Sequence, residues 1–88
     1  MVSKDFIIKN KMGLHMRPSQ VFVREMSKYD SDVTVIFAHK RINAKSIMGL
    51  MAACIGCGAK ITVICDGCDE QAMLDKAAKI IENSFWEV

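Results

Sequence analysis

Aromatic residues are scarce in this chain: four phenylalanines, one tryptophan and one tyrosine among 88 residues. Its positive charges are scattered singly, without a tract and without an aromatic platform on which bases would stack, which argues against a nucleic-acid partner. No apolar run approaches the roughly 20 residues of a membrane span, and Met1-Val2-Ser3-Lys4-Asp5 lacks the apolar stretch of a secretory signal. A cytoplasmic protein with no membrane insertion is the expectation. No linker, internal repeat or low-complexity stretch divides the sequence, so residues 1–88 are expected to form one domain.

What is present fits a soluble globule, with 51% apolar and 25% charged residues. A domain of this size buries only roughly two-thirds of its unfolded surface. It has little room to enclose a large cofactor, and none is expected; chemistry belongs on exposed side chains and helix ends. Lys and Arg outnumber Asp and Glu nine to four in residues 1–45, whereas residues 46–88 hold three against six. The basic half suits an acidic protein face.

Phe6-Ile7-Ile8 reads as a first strand, followed by the turn-prone Lys9-Asn10-Lys11-Met12-Gly13. Pro18 fits the first turn of a helix, where its missing N–H costs nothing. Ser19 to Lys28 then sets Val21, Phe22 and Met26 on one face, with Arg24, Glu25 and Lys28 toward solvent. Val33 to Phe37 is a strand by composition, and Ala38-His39-Lys40 connects it tightly to another around Arg41-Ile42-Asn43. In that connection His39 reads as a solvated turn residue.

Ser46 caps a short helix over Ile47 to Ala53, which the glycines of Ile55-Gly56-Cys57-Gly58 stop. Lys60 to Cys65 is a strand, and Asp69 caps a last helix carrying Met73, Leu74, Ala77, Ala78, Ile80 and Ile81 at helical spacing. The order βαββαβα predicts an α+β fold, an open two-layer sandwich with helices on one face of a single sheet.

The segment Gly13-Leu14-His15-Met16-Arg17-Pro18 carries the most chemistry. A histidine just before a proline-started helix sits where backbone N–H groups are unpaired and the helix dipole is positive, both of which stabilise an anion on the ring. Arg17 adds a fixed cation with several donors for phosphate oxygens. Neutral imidazole is nucleophilic near neutral pH, so a transient phosphohistidine is chemically reasonable. A lone histidine at this spacing also fits a capping or surface residue.

This segment resembles the active-site motif of the HPr family, the histidine-containing phosphocarriers of the bacterial phosphoenolpyruvate-dependent sugar phosphotransferase system. Asn43-Ala44-Lys45-Ser46-Ile47-Met48-Gly49-Leu50-Met51 resembles that family's regulatory site in its low-GC Gram-positive form, and the resemblance covers essentially the whole chain. It implies a four-stranded antiparallel sheet covered by three helices. His15 would accept the phosphoryl group from phosphorylated enzyme I and pass it to sugar-specific IIA domains, making the protein a carrier rather than an enzyme. Arg17 would stabilise the phosphate and Pro18 would fix the helix start. The sequence departs from the family at Met16, Ser19 and Gln20, where Ala, Ala and often Thr are usual; the bulk of Met16 leaves His15 its role but bears on transfer rate and partner range.

For Ser46 the resemblance implies phosphorylation by HPr kinase/phosphorylase, beside its plain role as a helix cap. Leu50 is expected to face inward. Ile47, Met48 and Met51 then form an adaptable exposed patch. The resemblance makes this patch, with Met16 and Gln20, the dock for enzyme I, IIA domains, the kinase and the catabolite control regulator. A regulatory paralogue working mainly through Ser46 is the alternative, and a monomer is expected for this size and role.

Cys54-Ile55-Gly56-Cys57 and Cys65-Asp66-Gly67-Cys68 are two C-x-x-C pairs, a spacing also used for zinc. An extended strand between them would separate the pairs by about 20 Å, too far to share an ion. No metal is expected, and neither pair opens a helix after a strand as a thioredoxin-like redox motif would. Without a secretory signal the four read as reduced thiols, with a local disulfide or opportunistic metal binding as the lesser alternative and Cys65 as a small core residue.

Overall fold

The structure, a computed structural model, describes residues 1–86; the last two residues of the expected domain lie outside the described residues. The elements run β1 (Val2–Ile7), α1 (Met16–Met26), β2 (Asp32–Phe37), β3 (Lys40–Asn43), α2 (Ile47–Ala52), β4 (Lys60–Asp66) and α3 (Glu70–Glu82), followed by a 3₁₀ turn at Ser84–Trp86. The four strands form one antiparallel sheet in the order β1-β4-β2-β3. The expected α+β open-faced sandwich is the observed fold.

Alternation decides the two faces of the sheet. Phe6, Val33, Val35, Ile61, Val63 and Cys65 are buried against Phe22 and Met26 of α1, Leu50 of α2, and Met73, Leu74, Ala77, Ile80 and Ile81 of α3. The intervening strand residues, such as Ser3, Asp5, Thr34 and Thr62, point to the uncovered face, where the Thr62 hydroxyl donates to Asp5 at 2.6 Å across the β1–β4 pair. Phe22 and Phe85 close one end of the core, edge to face with ring centroids 5.9 Å apart.

Several boundaries and contacts differ from the sequence reading. Helix α1 starts at Met16 rather than at Pro18, because the first three helical positions need no intrahelical N–H partner and Pro18 is tolerated at the third. Glu25, read as solvent-facing, is buried. Its carboxylate accepts from Lys28 Nζ at 3.0 Å and lies 3.6 Å from Lys76 Nζ, a cluster where α1 meets α3. The Lys28 bond, with both lysine charges, holds the Glu25 carboxyl below its ordinary range.

Helix α2 ends before the glycines, with Cys54 taking the left-handed conformation at φ +54° that glycine more often supplies. Six residues cannot hold a helix by themselves. Full burial of Leu50 contributes about 1.5–3 kcal/mol and the Ser46 cap about 1 kcal/mol, so packing outweighs capping.

Asp69 does not cap α3 with its side chain. Its carboxylate instead accepts from the Ser31 hydroxyl, the Ser31 amide at 2.9 Å and the Asp30 amide at 3.0 Å. The Ser31 hydroxyl in turn accepts from the Asp69 amide at 3.1 Å. This knot ties the loop after α1 to the start of α3, and the bond from the Ser31 hydroxyl, then those from the amides, hold the Asp69 carboxyl below its ordinary 3.8. A carboxyl that titrates lower when folded stabilises the fold above its unfolded pKa, and that contribution disappears as pH falls through the folded value. Asp69→Asn is therefore expected to be less stable than wild type at neutral pH. The gap should close below pH 3.8. Denaturant midpoints of both proteins from about pH 7 to about pH 2 check this.

Candidate functional site

The chain between β1 and α1 is held from three sides. The Gly13 amide donates to the Asn10 carbonyl at 2.9 Å, closing a turn, and the buried Asn10 side chain donates to the Ser84 carbonyl at 2.8 Å. Leu14 is buried and its amide donates to the Ile55 carbonyl at 2.8 Å. Gly13 has φ +68°, and a Cβ there would collide with the Ile55 carbonyl oxygen and come within 2.6 Å of Gly56 Cα. Glycine is required at this position for its conformation and for the close approach.

His15 follows as the N-cap residue of α1, in extended conformation and half-buried, with its carbonyl accepting from the Ser19 amide at 3.2 Å. Its imidazole makes no capping bond to the helix, and the first turn of α1 contains no acidic residue. The amides of Met16 and Arg17 have no intrahelical acceptor, and Pro18 has no N–H to offer. Arg17 is exposed at the same helix start, while Pro18 is buried and anchors it. Ser19 is also buried, and its hydroxyl donates to the Leu14 carbonyl at 3.3 Å, adding another tie between the helix and the loop. The arrangement places a partly exposed imidazole at a helix N-terminus, the end of a helix dipole that favours an anion.

Ser46 lies on the neighbouring helix. It is the N-cap of α2, its hydroxyl accepting from the Gly49 amide at 3.1 Å. Helices α1 and α2 pack together. Met16 is 55% exposed on α1, and Met48 and Met51 are 81% and 37% exposed on α2. Gln20 is exposed as well. Ile47 is half-buried, so the expected patch is carried mainly by the methionines. Leu50 faces inward as expected. On the β3 side of α2, an open groove of about 560 Å³ is lined by Lys40, Arg41, Asn43, Ser46 and Gly49.

The remaining sequence candidates fall elsewhere. His39 is exposed in the two-residue β2–β3 turn at φ +65°. Strand β4 separates the two cysteine pairs, which puts about 20 Å between them. Cys65 is buried, which pushes its thiol up to about 11. Among the described residues, ligand atoms of Asp30, Cys68 and Asp69 lie within 4.8 Å of one another. The Asp69 carboxylate there is already engaged by the amides and hydroxyl of the 30–31 loop. Sequence reasoning missed Asn10 and the Ile55–Gly56 segment as supports of the His15 loop; a glycine two residues before the histidine was the one available signal.

Fold and site define a class: small open-faced α+β sandwiches that present a histidine at a helix start. The chain belongs to the HPr family of phosphocarriers, since the family model for the "PTS HPr component phosphorylation site" matches residues 2–83. It is 38% identical over 87 residues to phosphocarrier protein HPr of Treponema pallidum, covering 99% of each chain. With the HPr-like protein Crh of Halalkalibacterium halodurans it shares 43% identity over 82 residues, covering 93% of this chain and 98% of that one. The crystal structure of HPr-C-His from Thermoanaerobacter tengcongensis superposes with a TM-score of 0.95 at 38% identity, covering 100% of this chain and 99% of that one. Among the described residues no helix is long and apolar enough to cross a membrane.

Gly13→Ala tests the support of the loop. The strained φ alone should cost about 1–3 kcal/mol, with the collision against Ile55 and Gly56 added to it. Chemical denaturation should show a lowered midpoint, and the Ile55 amide resonance should move in the folded fraction.

Proposed function

We propose that this protein carries a phosphoryl group on His15, taking it from phosphorylated enzyme I and giving it to sugar-specific IIA domains. The observation that carries the reading is His15 at the N-cap of α1 with no acidic residue in the first turn, inside a chain of the HPr family. A ring nitrogen of the His15 imidazole attacks phosphorus, and the bond from phosphorus to the donor breaks as the new N–P bond forms, the donor keeping that electron pair. The phosphoryl oxygens then lie near the unpaired amides of the helix start and the Arg17 guanidinium. The protein supplies position and charge for the transfer, and the donor and acceptor proteins complete the in-line geometry. No step calls for a metal or an organic cofactor on this chain.

Met16, Gln20, Ile47, Met48 and Met51 make the docking surface in this reading. Flexible thioethers adapt to several partner faces. Ser46 serves as the regulatory position, phosphorylated by an HPr kinase/phosphorylase. The added charge would stand at the groove bearing Lys40 and Arg41, and it would change which partners dock by charge rather than by unfolding α2. The catabolite control regulator is then the partner of the Ser46-phosphorylated form. The 43% identity with a Crh favours a second reading, a regulatory module acting through Ser46. The presence of a nucleophile at position 15 supports the carrier reading over it.

Incubation with enzyme I, magnesium and labelled phosphoenolpyruvate should place acid-labile, base-stable label on wild type and none on His15→Ala. Arg17→Ala should accept label about ten- to a hundredfold more slowly. No label on wild type, with the enzyme I active on another carrier, would leave the regulatory module as the better reading. Ser46→Ala should lose about 1 kcal/mol of stability with its cap, read from denaturation, and should take no label from ATP and the kinase. Truncating Met48 and Met51 to alanine should weaken binding to enzyme I while the far-UV spectrum stays unchanged.

A further inference from the structure

Two exposed thiols flank the backbone on which the His15 loop rests. Cys54 and Cys57 are both exposed, and the two residues between them, Ile55 and Gly56, are the ones that Gly13 and Leu14 touch. Ile55 is buried and accepts the Leu14 amide; Gly56 Cα closes against Gly13. Just beyond the pair, the Gly58 amide donates to the Ile8 carbonyl at 2.7 Å, and the Ile8 amide donates to the Ala59 carbonyl at 2.9 Å. The Cys57 thiol itself lies 3.9 Å from the Lys9 carbonyl oxygen, as its donor. Cys54 holds a left-handed φ of +54°, so this loop already stores strain at one end of the pair.

Three peptide units separate the two Cα atoms, which limits them to about 10 Å apart. A disulfide needs about 4.4–6.8 Å. Closure is within reach of so short a loop. It would lock the ends of the Ile55–Gly56 segment together and remove the Cys57 donor from Lys9. We propose that Cys54 and Cys57 form a thiol–disulfide exchange site, oxidised by small-molecule disulfides, whose closure moves the His15 loop and slows phosphoryl transfer. The slowing rests on the carrier reading of His15; the movement of the loop does not.

The exchange balances without a metal. A thiolate of one cysteine attacks a sulfur of the small disulfide, forming a mixed disulfide and expelling one small thiolate, which takes up the proton the cysteine lost. The second cysteine then displaces the remaining small thiol, closing the S–S bond. The protein has lost two hydrogens and the small disulfide has become two thiols. Cys65 does not compete because it is buried, and Cys68 lies beyond the far end of β4.

The test adds excess oxidised glutathione to the full chain and to the Cys54→Ser/Cys57→Ser double variant. In wild type the peptide holding Cys54 and Cys57 should lose the mass of two hydrogens, any glutathione taken up by the exposed Cys68 being carried on another peptide, and the amide resonances of Leu14 and His15 should shift. Label from phosphoenolpyruvate should then arrive about tenfold more slowly, and dithiothreitol should restore both properties. The double variant should keep its resonances and rate under the same treatment. A wild type that remains a dithiol overturns the proposal. So does a Cys54–Cys57 disulfide that leaves those resonances in place, or that leaves the rate unchanged in a protein that takes label. If reduced wild type takes no label at all, the carrier reading fails, and the mass and resonance measurements still decide the exchange site.

Discussion

The pairing of β1 with β4 is the constraint from which the site follows. Val2 to Ile7 lie antiparallel to Lys60 to Cys65, so the segment leaving β1 and the segment entering β4 emerge side by side at one end of these strands. The first leads to His15 and the second holds Ile55 and Gly56. Bonds between Ile8 and Gly58–Ala59, and between Leu14 and Ile55, continue the ladder beyond the strands. Each unmade bond would leave a sequestered backbone group unpaired, at a cost of about 1–3 kcal/mol. The histidine is therefore positioned by a partner more than forty residues away in the chain, and its loop is not free to drift.

Under the proposed carrier role, a rigid loop would hold the chemistry of the helix start in place. The Pro18 ring fixes the backbone in the first turn of α1, and the buried Ser19 hydroxyl ties that turn to Leu14. Between these anchors the His15 backbone is extended, which ends the helix at its N-cap and leaves amides of the first turn without an intrahelical acceptor. Such amides carry partial positive charge that needs no reorganisation when an anion arrives. The short helix α2 offers a different economy. One buried leucine holds it to the core, so its methionines remain outside and adaptable beside α1.

Much of the fold was legible in the chain. The alternating burial of β2 and β4 and the helical spacing of α3 are local patterns, set by side-chain period. Boundaries were less legible where a tertiary partner competes with a local rule. Asp69 has the chemistry of a helix cap, yet the Ser31 hydroxyl and the amides of the 30–31 loop claim its carboxylate. Glu25 belongs by type on a solvated face, yet Lys28 and Lys76 neutralise it inside the α1–α3 contact. Helix α2 stops at a cysteine rather than a glycine because the burial of Ile55 draws the chain into a left-handed turn at Cys54.

The sequence alone determined the element order, the helical spacing of α3, and the placing of His15, Arg17 and Pro18 at a helix start. All of these depend on residues within a few positions of one another. Only the tertiary structure decided what Gly13 is for, which backbone the His15 loop rests on, and that the residues enclosed by Cys54 and Cys57 are that backbone. Those relations join residues some forty positions apart, and no local pattern encodes a distance that only the β1–β4 pairing sets.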